Sequence, residues 1–437
     1  MTATAPTGDR YLSIDAVRGF AVLGILLMNI TGMAGPTFGY IDPTYAGGTT
    51  PADLWTWAVN HVLTDGKMRG LFTMLFGAST VLIADRAEQG RIQQGGGLGP
   101  VATHYRRMFW LLVIGMLHAY FLWWGDILVC YAVAGLLVFP FRKLDPKLLV
   151  ALGALILVLV VAHNVYGANQ MRALSDAIAS GTATPAMTAE WNQAQLLISP
   201  PASMGDGEIR LFRGGFMEAL QARAYVAVLM QLFVEPPDGF PEAIGQMLIG
   251  MALFKSGFFT LKWSTKAYAT AMAVGYLIAV PVTAWITWEI WDNGFDPLLR
   301  MNLDAWGAIP RPFIAIAHGS ALLLLVRSGA LSWLIDRFAA AGRMAFSNYL
   351  MTSIITTFLF CGFGLGLYGH LSRFEQLYVV GGIWVFILVW SKPWLERFQY
   401  GPFEWVWRSL VQWKPQPFVR RPPPPGSQGP ASAEPAG

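Results

Sequence analysis

Two charged residues at the start of an apolar stretch raise the first chemical question. In "RYLSIDAVRGFAVLGILLMNI", residues 10–30, Asp15 and Arg18 are three apart, so on a helix they share a face and can pair. Asn29 follows Arg18 by eleven residues, close to three full turns, and falls on the same stripe. A polar stripe along an apolar helix suits a face turned to protein or to a water-filled cavity rather than to lipid. A guanidinium steadied by a carboxylate could there hold an anionic group. A second reading has Asp15 complementing the helix dipole, Arg18 snorkelling to headgroups and Asn29 at the far interface.

A second pair stands in "LHAYFLWWGDILVCYAVAGL". His118 precedes a hairpin at Trp123–Gly125, and Asp126 opens the next apolar run. On adjoining helices near one mouth, they are parts for a general base and its orienting carboxylate. They could equally be a helix cap at Asp126 and a histidine bonded to a neighbouring carbonyl. His318, midway along "PRPFIAIAHGSALLLLV", is an intramembrane ionisable group and hence a site candidate, or a buried neutral histidine bonding a nearby helix. His61 and His163 lie near span ends and read as interfacial. In "GRMAFSNYLMTS", Arg343, Ser347 and Asn348 fall on about one turn with Tyr349 beside them. In "YGPFEWVWRSL", Glu404 and Arg408 form an i,i+4 pair with Trp405 and Trp407 beside them, as a catalytic element or as an aromatic interfacial anchor. The chain carries no H-E-x-x-H, no Walker loop, no G-x-S-x-G and no Cys/His metal spacing.

The elements that must position these groups are membrane helices. Of 437 residues, 54% are hydrophobic and only 13% charged, against about a quarter charged in soluble domains. The apolar runs are long and continuous, which disfavours an alternating-strand barrel. They predict an all-α polytopic bundle of about ten transmembrane helices, over roughly 16–34, 68–84, 108–124, 127–141, 148–166, 240–256, 267–288, 311–326, 344–367 and 376–391. Residues 220–235, with Gln221, Arg223 and Gln231, read as a short interfacial or re-entrant helix. The first helix reads as a retained anchor rather than a cleaved signal. Cys130 and Cys361 lie in apolar runs and read as packing residues.

Alternating the ten spans from a cytoplasmic N-terminus puts 20 of the 30 Lys and Arg residues inside. That bias predicts both termini in the cytoplasm. The organisation expected is a cytoplasmic N-terminus (1–15), a five-helix membrane half (16–166) and an extracytoplasmic loop with the interfacial helix (167–239). A second five-helix half with a closing interfacial helix (240–414) and a disordered Pro-rich tail (415–437) follow.

Six stretches together carry a resemblance: "DAVRGFAVLGILLMNI", "KMRGLFTMLFGAS", "HAYFLWWGDILVCYAVAGL", "GQMLIGMALFKSGF", "GRMAFSNYL" and "GPFEWVWR". The chain resembles the YeiB-type membrane proteins, a bacterial family of unassigned function, over nearly its whole length apart from the outer loops and tail. Ser347 stands where that family more often has Thr. The family is in turn similar to transmembrane acyltransferases of the heparan-glucosaminide N-acetyltransferase type. Asp15 and Arg18 match the opening motif, and His118 with Asp126 match the second; no catalytic role carries over to His61. The resemblance implies a multi-pass protein of the bacterial cytoplasmic (inner) membrane. It also implies transfer of an acyl group from a cytoplasmic donor, with acyl-CoA as co-substrate rather than a resident cofactor, to an extracytoplasmic acceptor. On that reading His118 is the base, Asp126 its orienting carboxylate, and Asp15, Arg18, Asn29, Arg343 and Asn348 hold the donor. The expected partners are the bilayer and small-molecule donor and acceptor, with no nucleic acid and an undetermined oligomeric state. A transporter for a small anionic or amphipathic solute, using the same stripe as its path, is the alternative. No repeat relates the two halves, which weighs against it.

Overall fold

The computed structural model describes residues 11–94 and 99–420, and its described residues fold as helices, with an isolated β-bridge between Phe398 and Val419. Arg10 and the tail beyond Arg420 lie outside the described residues. The first half holds α1 (Leu12–Ala34), α2 (Pro51–Leu63), α3 (Lys67–Gln94), α4 (Pro100–Phe121), α5 (Leu128–Val138) and α6 (Pro146–Ala179). Three helices follow, α7 (Pro185–Ile198), α8 (Ala202–Phe212) and α9 (Phe216–Leu229). The second half comprises α10 (Phe240–Lys255), α11 (Thr265–Val274), α12 (Val280–Asp292), α13 (Pro297–Gly307) and α14 (Arg311–Ser328). It ends with α15 (Ser332–Arg343), α16 (Ala345–Phe360), α17 (Gln376–Arg397) and α18 (Pro402–Gln412). Many starts follow local chemistry: Asp145 accepts from the Lys147 amide ahead of Pro146, and Ser264 from the Ala267 amide.

Five of these helical segments are long and apolar enough to cross a bilayer, or six if α13 and α14, bent by 52°, count as one span. The expected number was about ten. The discrepancy comes from helices such as α5, α10 and α16, which are apolar but only 11, 16 and 16 residues long, short of the ~20 that span unaided.

α1 is the central helix. In its most apolar window 83% of residues are buried, against 22% for α6, for the α11–α12 segment and for α17. The latter present Leu155, Val158, Leu277, Ile278, Val385 and Val389 outward, as lipid-facing helices do. α1 packs most closely on α15, where Gly19 and Gly342 let the backbones meet. A Cβ on Gly19 would stand 1.9 Å from the Phe338 carbonyl oxygen, and one on Gly342 1.9 Å from that of Asp15. With these contacts α15 holds the turn of α1 that carries Asp15 and Arg18.

Three expected boundaries move. α6 runs on through residue 166 to Ala179 without a break. Residues 220–235 are not a separate interfacial helix. α9 passes through a π-helical stretch, Met230–Gly239, directly into α10. The reason is Pro236–Pro237, which lack amide donors and are accommodated by widening the helix rather than ending it. Arg223, which suggested an interface, is buried and donates to the carbonyl of Phe121 at the C-terminus of α4. The expected 344–367 span stops at Phe360, where Gly362 donates to the Phe212 carbonyl and the chain turns away.

Candidate active site

α1, α3, α4, α5, α15, α16 and α18 surround a cavity of about 240 Å³. Among the described residues, five arginines line it, Arg18, Arg86, Arg107, Arg343 and Arg408, against two carboxylates, Asp15 and Glu404. Arg18 is held from two sides: Nη1 donates to Asp15 at 2.9 Å and Nη2 to the Ser79 hydroxyl at 3.0 Å. The Arg107 guanidinium lies over the Trp407 ring at 4.2 Å, and that of Arg408 over Tyr400 at 4.6 Å. Planar, permanently charged donors fixed in this way suit phosphate oxygens better than any neutral ligand.

Glu404 and Arg408 do not form the ion pair their spacing offers. The Glu404 carboxylate instead accepts from the Phe346 and Ser347 amides at 2.8 and 3.0 Å and from the Ser347 hydroxyl. Ser347 Oγ in turn accepts from the Phe403 amide at 3.0 Å. α16 and α18 thus cap each other's N-termini, satisfying amides that neither helix satisfies alone. Burial pushes the Glu404 carboxyl up, only partly offset by these bonds. A Cβ on Gly401 would stand 2.2 Å from Glu404 Oε2, so the close approach depends on glycine there.

The second constellation lies directly behind the cavity wall. His118 Nδ1 is 2.7 Å from Asp126 Oδ1, and His118 Nε2 is 2.8 Å from Ser353 Oγ. All three residues are buried. Asp126 also accepts from the Val129 amide at 2.7 Å through Oδ2. It therefore serves both roles read from the sequence, helix cap and histidine partner. Tyr349 joins the two sites: it lines the cavity, its hydroxyl accepts from the Ile127 amide at 3.3 Å, and its ring lies 5.0 Å from the His118 ring. Ser353 is one helical turn beyond Tyr349 on the same face of α16.

The remaining sequence candidates sit elsewhere. Asn29 is buried and is not among the residues lining the cavity. Asn348 is fully buried and occupied, donating to the Ala341 carbonyl and the Ser391 hydroxyl and accepting from Trp390. It braces α16 against α15 and α17 and does not line the cavity. Arg343 does, but it closes α15, separated from Ser347 and Asn348 by a break at Met344. Both nitrogens of His318 are engaged, by the Leu63 carbonyl and Tyr276. His61 stacks on Trp57, with Thr287 at 2.8 Å and Asp304 at 3.3 Å. Neither lines the cavity.

Sequence reasoning missed Ser353 and His104. His104 lines the cavity, but Nε2 lies 2.8 Å from the Gly135 carbonyl and its ring stacks on Phe139. For Ser353 the available signal was its i+4 spacing from Tyr349 within "SNYLMTS"; nothing local pointed to His118.

A helical membrane protein with an arginine-lined cavity set against a buried Ser–His–Asp constellation is the class that fold and site define. The chain belongs to the YeiB family. It is 30% identical to the "Uncharacterized protein YeiB" of Escherichia coli (strain K12) over 92% of this chain and 96% of that one. It is 26% identical to the "Uncharacterized protein YxaH" of Bacillus subtilis (strain 168) over 95% and 97%. Residues 10–184 match the family described as "Heparan-alpha-glucosaminide N-acetyltransferase, catalytic", and residues 253–414 match "Protein of unknown function (DUF418)". His118 and Asp126 come from the first segment, Tyr349 and Ser353 from the second. No solved structure matches the chain.

Proposed function

We propose that the protein is a membrane-embedded acyltransferase, using a CoA-type thioester that enters from the cytoplasmic side to acylate an acceptor reached from the other. The observation that carries this reading is the position of His118, between Asp126 and Ser353, one aromatic layer from a cavity with a surplus of arginines. Asp126 favours the tautomer with the proton on Nδ1 and leaves Nε2 free to accept one, the state a general base needs. Arg18, Arg107 and Arg408 supply charge for the donor's phosphates. The match of residues 10–184 to an acetyltransferase catalytic family supports the same reaction class.

Both described ends of the chain meet at this cavity, which Tyr11 and Arg408 line together. All five lining arginines come from α1 or from segments that the charge bias assigns to the cytoplasm. A shared end supports an even number of crossings, as in the six-span count or the ten expected from apolar runs. The bacterial inner membrane is the compartment this reading assigns.

The test uses the full chain in liposomes, with acetyl-CoA and palmitoyl-CoA as donors and release of CoA thiol as the readout. His118→Ala is expected to lower turnover about 100-fold or more. Arg18→Gln is expected to raise KM for the donor about tenfold while leaving kcat nearly unchanged. Absence of thiol release and of acyl transfer with either donor refutes the reading.

A further inference from the structure

Resting on the acyltransferase reading, we infer that Ser353 is a covalent nucleophile, which takes the acyl group as an ester before the acceptor receives it. Neither matching family description nor any relative's name assigns it a role.

A hydroxyl that merely packs in a membrane helix normally bonds back to the carbonyl four residues earlier. Its neighbours Thr352 and Thr356 do so, at 2.8 and 2.9 Å. Ser353 has the same option at the Tyr349 carbonyl, but that distance is 3.4 Å, whereas His118 Nε2 stands at 2.8 Å. Its hydroxyl is thus committed to an imidazole whose other nitrogen faces a carboxylate at 2.7 Å. Nucleophile, base and orienter in series is the arrangement that activates a serine. The three come from α4, the α4–α5 junction and α16, with Ser353 separated from His118 by 235 positions in the chain. Asp126 alone would suffice to orient a histidine acting directly on an acceptor. The serine at Nε2 occupies the place such an acceptor's hydroxyl would take.

The chemistry closes without a further reagent. Ser353 Oγ attacks the thioester carbonyl as its proton passes to His118 Nε2. The C–S bond breaks, and the thiolate leaves with that proton as free CoA thiol. An acceptor hydroxyl or amine then gives its proton to Nε2 and attacks the serine ester. The C–O bond to Ser353 breaks, and Oγ recovers the proton from the imidazolium. Tyr349, between cavity and serine, is the side chain an acyl group must pass.

The experiment incubates purified full-length protein with acyl-labelled acetyl-CoA or palmitoyl-CoA without acceptor, quenches in acid, and locates the label by peptide mass spectrometry. Label on the peptide containing Ser353, stable to neutral hydroxylamine and released by alkali, is expected. Ser353→Ala should abolish the label and lower acyl transfer about 100-fold or more. Ser353→Cys should restore a label that neutral hydroxylamine removes, because the adduct is then a thioester. Retained binding of CoA and an unchanged melting temperature show that the variants are folded. If Ser353→Ala transfers acyl groups at the wild-type rate while His118→Ala does not, Ser353 is no nucleophile and the acyltransferase reading stands. Ser353 is equally excluded if the wild type transfers acyl groups but carries its label on another residue. If the wild type releases no CoA thiol from either donor, both readings fall.

Discussion

At the residue scale, the two bonds made by Asp126 can be separated by experiment. Oδ2 caps α5 through the Val129 amide, and Oδ1 faces His118. Asparagine is as good a cap as aspartate, but it carries no charge to stabilise an imidazolium. Asp126→Asn is therefore expected to keep the α5 cap and a folded chain while lowering kcat at least tenfold with KM unchanged. An unchanged kcat in Asp126→Asn would show the carboxylate to be a cap only. These pairings were partly legible in the sequence. Asp15 with Arg18 and His118 with Asp126 are each close in the chain, so helical spacing or a hairpin brings them together. Ser353 was not, because its partner lies on another helix and the contact depends on how α16 packs against α4. Asn348 was singled out by its place on one turn with Arg343 and Ser347; in the structure its amide is satisfied by three neighbouring groups.

At the scale of elements, apolar runs located most helices but not their ends. The Pro236–Pro237 pair reads as a stop, yet the chain passes it as π-helix. α16 shows the opposite error, ending at Phe360 although the apolar run continues. The helices between α6 and α10 are tied to the bundle by Glu208 of α8. Its carboxylate accepts from the Thr37 amide and hydroxyl and from the Tyr368 hydroxyl at 2.7 Å. Burial pushes the Glu208 carboxyl above its ordinary 4.5, which these bonds only partly offset. A carboxyl raised by folding holds its proton better in the folded state. Its contribution is therefore fully favourable below about pH 4.5 and diminishes as pH rises through the folded value. The difference in melting temperature between the wild type and Glu208→Gln should vary with pH across that window, the wild type gaining relative to the variant on acidification. A pH-independent difference would place the carboxyl at its ordinary value.

At the scale of the whole molecule, orientation is the open quantity that labelling can determine. Tyr11 and Arg408 line one cavity, and on the proposed reading the Lys and Arg bias puts that cavity toward the cytoplasm. Both native cysteines are buried, so single exposed reporters can be read against a low background. Thr182→Cys, between α6 and α7, should react with an impermeant maleimide in intact cells. Lys262→Cys, between α10 and α11, should react only after permeabilisation; the reverse pattern would invert the protein and put the arginine cavity outside. The reciprocal capping of α16 and α18 has a consequence for biosynthesis. The helix that carries Tyr349 and Ser353 has its first amides satisfied by Glu404, 57 and 58 positions further along the chain. His118 and Asp126 are in place long before that residue leaves the ribosome. The site is therefore finished only after α18 has been made, and a chain that stops before α18 inserts its histidine and aspartate without a settled partner.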